Sequence, residues 1–276
     1  MRLGLIQLTV TDDPAANLPE TLRLIDAAHA AGAGFVLTPE CTNALSSNRS
    51  HQRAILHSEA TDPTLAALRE AAARLQIWLL IGSLGLLTDD ADGRFANRSF
   101  LIGPDGAIVA RYDKIHMFDV NVSETEVYRE SAGYRPGTQA VVAHTPFARI
   151  GMTVCYDVRF PHLYRALAQA GADIITVPAA FNHITGDAHW QVLLRARAIE
   201  TGCFVVAPAQ TGFHAEQAGK GRKTHGHSLV VDPWGQVIAD GGTEPGVVLA
   251  DIDLTEVSRA RARIPSLTHD RGYDAP

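Results

Sequence analysis

The sequence predicts an α/β fold in which two sheets pack together with helices outside. Three observations carry this. Strand-like apolar runs alternate with helix-like amphipathic runs in both halves of the chain. Each half then carries a pair of strand-like runs around a strong turn, GPDG at 103–106 and DPWG at 232–235. No linker-like or low-complexity stretch separates the halves, so residues 1–276 read as one domain, with a core about 2–255 and a tail about 256–276.

Taken in order, Leu3–Leu8 reads as a first strand and Asn17–Ala31 as a helix. Leu18, Leu22, Ile25 and His29 fall near helical spacing there, and Gly32 is a stop. Phe35–Thr38 is a short second strand. Thr61–Leu75 is a helix with Leu65, Leu68 and Ala72 on one face, capped by Thr61 or Asp62 before Pro63. Ile77–Ser83 is a buried strand, and Arg98–Ile102 with Ile108–Tyr112 form the first hairpin. Asp119–Gly137 is polar and acidic and reads as a long loop, a feature that is usually functional in a compact domain. The second half reads as strand Ile150–Val154, helix Pro161–Ala170, strand Ile174–Val177, helix Ala188–Thr201 ended by Gly202, and strand Phe204–Ala207. Gln210–Thr224 is a Gly-rich polar loop. Ser228–Val231 and Gln236–Ala239 form the second hairpin, Val247–Ile252 a last strand, and a short helix starts at Leu254.

The formal net charge is -6, which argues against nucleic acid or an anionic membrane as the main partner. Three cysteines, Cys41, Cys155 and Cys203, are too few and too unevenly numbered for a disulfide framework, and point to a reducing, cytoplasmic setting. The N-terminal MRLGLIQLTVTDD alternates apolar with polar residues like a strand, unlike a signal peptide. No apolar run reaches the length of a membrane span.

Cys155 closes the apolar run IGMTV and precedes YDVRF, with Pro161 suited to the first turn of the next helix. A cysteine so placed is commonly a small buried hydrophobe. The C-terminal end of a strand is also where α/β proteins hold reactive groups, and the loop after it offers free backbone N–H donors. A reactive thiol there needs a base or a cation. Glu40, just past the strand in FVLTPEC, is a candidate base; otherwise it is a solvated loop carboxylate. Lys114, at the end of the hairpin strand in RYDKIHMFD, is a candidate holder of a thiolate or oxyanion; otherwise it is a surface lysine.

LTPEC, YDKIHMFD and GMTVCYDVRFPH together resemble the three signature blocks of the nitrilase, or carbon–nitrogen hydrolase, superfamily. The resemblance runs from Leu3 to about Arg271. AFNHITGDAHWQVLLRARAIETGCFVVAPAQTG and HGHSLVVDPWGQVIAD resemble its amidase branch, which contains deaminated glutathione amidase and ω-amidase. The resemblance implies a four-layer α-β-β-α sandwich and a catalytic triad of Glu40, Lys114 and Cys155, with the backbone N–H of Tyr156 helping to hold the oxyanion. YRES matches the motif of a supporting glutamate, Glu130. Arg159, Phe181 and Thr185 match positions that bind an acidic substrate. The implied substrate is a small amide, such as deaminated glutathione or another 2-oxo acid amide, hydrolysed by water with release of ammonia. No metal or organic cofactor is implied, and members pair into homodimers or larger assemblies. N-carbamoyl amino acid hydrolases use similar chemistry. His162 and Asp187 depart from the branch's common residues, and the stretch 213–223 does not align.

Three other readings compete. A Cys–His hydrolase would pair Cys155 with His116, His189 or His227. A metal hydrolase would use His225 and His227 of HGH, with His214 as third ligand. An inactive scaffold on the same fold would leave the triad without work.

Overall fold

The computed structural model describes residues 1–124, 126–217 and 219–274. The expected loops 119–137 and 213–223 and the expected tail therefore include positions, 125, 218 and 275–276, that lie outside the described residues. The first half contributes β1 (Arg2–Gln7), α1 (Pro14–Ala30), β2 (Phe35–Leu37), α2 (Arg49–Ile55), α3 (Pro63–Leu75), β3 (Trp78–Leu86), β4 (Ala96–Ile102) and β5 (Ile108–Asp113). Then come β6 (Asp119–Asn121), β7 (Val127–Arg129), β8 (Val141–His144), β9 (Arg149–Met152), α4 (Pro161–Gln169), β10 (Ile174–Thr176), α5 (His183–Thr201) and β11 (Phe204–Ala207). The chain continues with β12 (Thr211–His214), β13 (Arg222–His225), β14 (Leu229–Val231), β15 (Val237–Asp240), β16 (Gly246–Asp251) and α6 (Thr255–Arg263).

Two six-stranded sheets result, in the orders β16-β1-β2-β3-β4-β5 and β15-β14-β11-β10-β9-β8. Within each, three central strands run parallel, β1-β2-β3 and β9-β10-β11. Alternation along β1 explains the layering. Leu3 and Leu5 join a core with Leu37, Leu80, Ile150, Met152 and Val205, between the two sheets. Ile6 faces the other way, towards Leu24 and Ile25 of α1 and Leu65 and Leu68 of α3. Trp190 and Leu194 of α5 and Leu163 and Leu167 of α4 cover the second sheet. The order of layers is α-β-β-α, as the resemblance implied.

Local signals explain most boundaries. Asp13 caps α1 by accepting from the N–H groups of Ala15 and Ala16, and Pro14 fills its first turn, so the helix begins before the apolar periodicity at Asn17 does. Asn182 caps α5 in the same way, which adds five residues ahead of the expected Ala188 start. Gly202 ends α5 with φ 59°, the left-handed conformation that glycine adopts without strain. Two expected loops contain hairpins. β6 pairs with β7 inside 119–137, and β12 pairs with β13 inside 210–224. α2 and β8 carry too few periodic apolar residues to show in the sequence. Among the described residues, no helix is long and apolar enough to cross a membrane.

Gly82 fixes one contact that the site depends on. A Cβ there would lie 2.1 Å from the Thr38 carbonyl oxygen and 2.4 Å from that of Pro39, so β3 can press against the turn leading to Glu40 only with glycine at this position. Gly82→Ala is expected to cost about 1–3 kcal/mol of stability, measured as a lowered midpoint of thermal or urea unfolding.

Candidate active site

The C-terminal ends of β2, β5 and β9 converge at one edge of the sandwich, and each delivers one candidate residue. Glu40, Lys114 and Cys155 are all buried, at 4%, 2% and 6% exposure. Lys114 Nζ donates to Glu40 Oε1 at 2.9 Å and to both carboxylate oxygens of Glu130, at 3.0 and 2.9 Å. Asn97 Nδ2 donates to Glu40 Oε1 at 2.9 Å and to Glu130 Oε1 at 3.3 Å. The Ala180 N–H donates to the other oxygen of Glu40 at 2.8 Å. The Cys155 thiol lies within electrostatic reach of both Glu40 and Lys114. The expected carboxylate and ammonium are therefore hydrogen-bonded to each other, Glu130 completes the lysine's coordination, and the thiol lines the same cavity beside them.

Backbone contacts hold each member. The Lys114 N–H donates to Asn97 O and its carbonyl accepts from the Gly137 N–H, so the strand-to-loop exit is pinned from both sides. Glu130 opens a short 3-10 turn right after β7, and its Oε2 accepts from the Phe118 N–H at 2.6 Å. Cys155 has φ 49°, a left-handed conformation that costs a non-glycine residue roughly 1 kcal/mol or more. Its N–H donates to Pro178 O at 2.9 Å, which helps to hold this turn.

Asp157 organises the turn around the thiol, and the sequence alone did not mark it. It is wholly buried. Its Oδ2 accepts from the Tyr112 hydroxyl at 2.6 Å and the Val154 N–H at 2.9 Å. Its Oδ1 accepts from the His116 N–H at 3.0 Å and lies 2.7 Å from His116 Nδ1. The His116 ring stacks on Phe160 with centroids 3.5 Å apart. Asp157 thus ties the turn bearing Cys155 to the strand end bearing Lys114. Asn97 was equally unmarked, although a polar residue inside the apolar strand FANRSF was a signal.

The charges follow from burial and contact. Burial alone would push the Glu40 carboxyl up, but the Lys114 ammonium and the hydrogen bonds from Lys114 and Ala180 outweigh it and hold it below the usual glutamate range. Burial works against the Lys114 charge too, yet Glu130 and Glu40 together hold it well above the ordinary lysine value. Burial, and then the Glu40 charge, push the Cys155 thiol well up, with Lys114 opposing. The resting set is carboxylate, ammonium and neutral thiol.

A cavity of about 450 Å³ opens onto this set and is lined by Glu40, Lys114, Glu130, Cys155, Tyr156 and Phe181. Arg159 and Thr185 do not line it. The Arg159 guanidinium lies 5.3 Å from the centre of the Phe181 ring and 5.9 Å from that of Tyr156, and reaches His189 Nδ1 at 3.2 Å. The Thr185 N–H donates to Asn182 Oδ1 in the first turn of α5. Among the described residues, no histidine lines the cavity. His214 has both ring nitrogens engaged, with Val10 O and Thr224 Oγ1, each at 2.7 Å, which takes away the third ligand that the metal reading required. His162 packs edge-on to His116, and Asp187 pairs with His225 at 3.1 Å, so neither departure touches the set.

The family model for carbon–nitrogen hydrolases matches residues 2–262, and the chain belongs to the carbon–nitrogen hydrolase family. It is a hydrolase of carbon–nitrogen bonds other than peptide bonds. The chain is 42% identical over 267 residues to a deaminated glutathione amidase of Synechocystis, covering 96% of each chain. In structure it resembles the NitFhit protein of C. elegans, with a TM-score of 0.89 and 36% identity, covering 98% of this chain and 65% of that longer one. It also resembles Saccharomyces cerevisiae Nit3, a member of branch 10 of the nitrilase superfamily, with a TM-score of 0.86 and 26% identity over 99% of this chain and 97% of that one.

Asp157→Asn removes a buried charge that answers four donor groups. It is expected to cost about 3 kcal/mol, read as a lowered urea midpoint with an unchanged slope.

Proposed function

We propose that this chain is an amidase that cleaves a small acidic amide through a cysteine thioester, with deaminated glutathione or a related 2-oxo acid amide as substrate. One observation carries the reading: a buried thiol lines the floor of a cavity large enough for a small molecule together with a hydrogen-bonded carboxylate–ammonium pair.

The chemistry follows from the protonation states. Glu40 takes the proton of the Cys155 thiol as sulfur attacks the carbonyl carbon. Lys114 Nζ and the Tyr156 N–H stabilise the negative oxygen that forms, an effect worth about 3 kcal/mol per well-placed donor. Glu40 then returns the proton to the leaving nitrogen, the C–N bond breaks and a thioester remains. Water gives a proton to Glu40 and adds to the thioester carbon. The C–S bond breaks, and the proton on Glu40 returns to sulfur. No proton is left over. Glu130 holds Lys114 in place throughout.

The leaving group depends on the amide. A primary amide such as 2-oxoglutaramate releases ammonia. Deaminated glutathione carries a secondary amide and releases the amine of a dipeptide, so the expectation of ammonia release holds only for the first kind. The relatedness to deaminated glutathione amidases supports the second. Arg159, which has no carboxylate partner among the described residues, is proposed to hold the acid of the acyl half from behind Phe181 and Tyr156. Thr185 is proposed to border that end of the site. The chain is further proposed to work in the cytoplasm as a homo-oligomer, supported by Val192 and Ile199 exposed on α5.

Cys155→Ala is expected to abolish turnover, and Cys155→Ser to lower kcat by at least about 10³-fold, in a panel of deaminated glutathione, 2-oxoglutaramate, 2-oxosuccinamate and N-carbamoyl amino acids. Undiminished acid product from either variant would sink the assignment of the nucleophile. The pH profile makes a second test. Glu40 is held low, so its basic form is present above that lowered value and is lost only as pH falls through it. Cys155 is held high, so the thiol stays neutral through the mild alkaline range. kcat/KM is therefore expected to be flat from about pH 6 to about pH 9 and to fall only in acid, near or below the ordinary glutamate value of about 4.3. A rise centred near pH 8.5, where a free thiol ionises, would show instead that the thiolate forms before substrate binds.

A further inference from the structure

The cavity wall holds a cation whose guanidinium the reaction does not use and, among the described residues, no carboxylate answers. Arg222, on β13, lines the same cavity as Cys155. Its Nη2 donates to the Ala180 carbonyl oxygen, its guanidinium carbon sits 5.7 Å from the centre of the Tyr128 ring, and its Nε is buried without a partner. Among the described residues no carboxylate pairs with it and Ala180 is its only hydrogen-bond acceptor. A partly buried guanidinium is normally answered by a carboxylate. Glu126 and Glu216 line the same cavity but spend themselves elsewhere, Glu126 on Asn182 Nδ2 and Glu216 on Ser47. Lys220 and Lys223, from the same hairpin region, add positive charge at the rim.

The β12–β13 hairpin holds Arg222 in place. The His225 N–H donates to Phe181 O, and Asn182 and Thr224 form a bridge, so the flap is stitched to the 180–182 segment. The same segment presents the Ala180 N–H to Glu40. Arg222 therefore borders the Glu40 side of the cavity. In the proposed mechanism the leaving nitrogen must face Glu40, its proton donor. A group attached to that nitrogen extends along the Arg222 side, and Arg159 lies against the Phe181 and Tyr156 side.

We infer that Arg222 is a carboxylate receptor for the leaving half of the substrate, so that the site prefers secondary amides with an acidic amine leaving group over primary amides. This rests on the amidase reading above. It gives β13, which carries Arg222, a role in specificity.

The test compares deaminated glutathione, whose leaving amine ends in a carboxylate, with 2-oxoglutaramate, whose leaving group is ammonia. In Arg222→Gln the ratio of kcat/KM for the first over the second is expected to fall at least tenfold, through KM more than kcat. Arg222→Lys, which keeps a cation, is expected to fall between, and stands in if the Gln variant does not fold. Arg159→Gln is expected to weaken both amides together and leave the ratio within threefold. Binding of deaminated glutathione to Cys155→Ala by calorimetry, with and without Arg222→Gln, gives a readout free of turnover and is expected to weaken at least tenfold. An unchanged ratio and an unchanged affinity overturn the inference. Affinity that depends on Arg222 in a chain that hydrolyses no amide keeps the receptor and overturns the amidase reading instead.

Discussion

The site depends on one buried charge. Lys114 carries its ammonium into an interior where only 2% of the side chain meets solvent, and an isolated cation there would be strongly disfavoured. Two carboxylates answer it, one from the turn after β2 and one from the turn after β7. Three stretches distant in sequence must therefore meet at one point, or each would be left as an unpaired buried charge. Asn97 and the Ala180 N–H take up oxygen lone pairs that the lysine leaves open. The set carries two negative charges and one positive. A thiolate would add a third anion in a buried place, so burial and then the Glu40 charge keep Cys155 a thiol at rest.

The second sheet is registered to the first through Asp157. Its four donors come from both sides: Val154 beside Cys155, Tyr112 inside β5 and His116 just beyond Lys114. Sheet packing between apolar faces is permissive about sliding, since burial is non-directional. Hydrogen bonds from a buried carboxylate are not, because each orphaned donor costs about 1–3 kcal/mol. Asp157 thus converts a loose apolar interface into a defined placement of sulfur relative to the ammonium. The positive φ of Cys155 is held by the same framework, through Pro178 O on the neighbouring strand exit.

Residues that act through apolar periodicity or turn chemistry were legible in the sequence. The central strands, the two strong turns, the capped α3 and the stop at Gly202 follow from side-chain type alone. The three blocks around Glu40, Lys114 and Cys155 were legible by resemblance, since their local patterns left a buried hydrophobe or a surface lysine equally open. What stayed hidden depends on partners far along the chain. The hairpins at β6–β7 and β12–β13 are short and polar, so alternation gives no apolar face to read. Asp157 looks like one more polar residue in a loop until Tyr112 and His116 arrive. Arg222 sits in a Gly- and Lys-rich stretch outside the three signature blocks, and only the folded flap brings it to Ala180. Arg159 showed the opposite limit: its motif position suggested direct contact with substrate, and the structure sets it against Phe181 and Tyr156, outside the cavity lining.

The cavity divides into two zones of opposite charge, which bears on how the proposed acidic amide would enter. The floor, with Glu40 and Glu130 against Lys114, is net negative and repels a carboxylate. The walls and rim carry Arg49, Arg129, Lys220, Arg222 and Lys223 against Glu126 and Glu216, and are net positive although the whole chain is -6. A substrate with acidic ends and a neutral amide between them lowers its energy by leaving the ends at the walls and sending the amide to the floor. The reverse orientation would bring a carboxylate against Glu40 in a low-dielectric setting, where the repulsion is least screened. The separation of the two zones would therefore orient the proposed substrate before any specific contact is made. The lysine beside the sulfur, already held by two glutamates, is the cation least free to meet a carboxylate, which fits the receptor role proposed for Arg222 on the cavity wall.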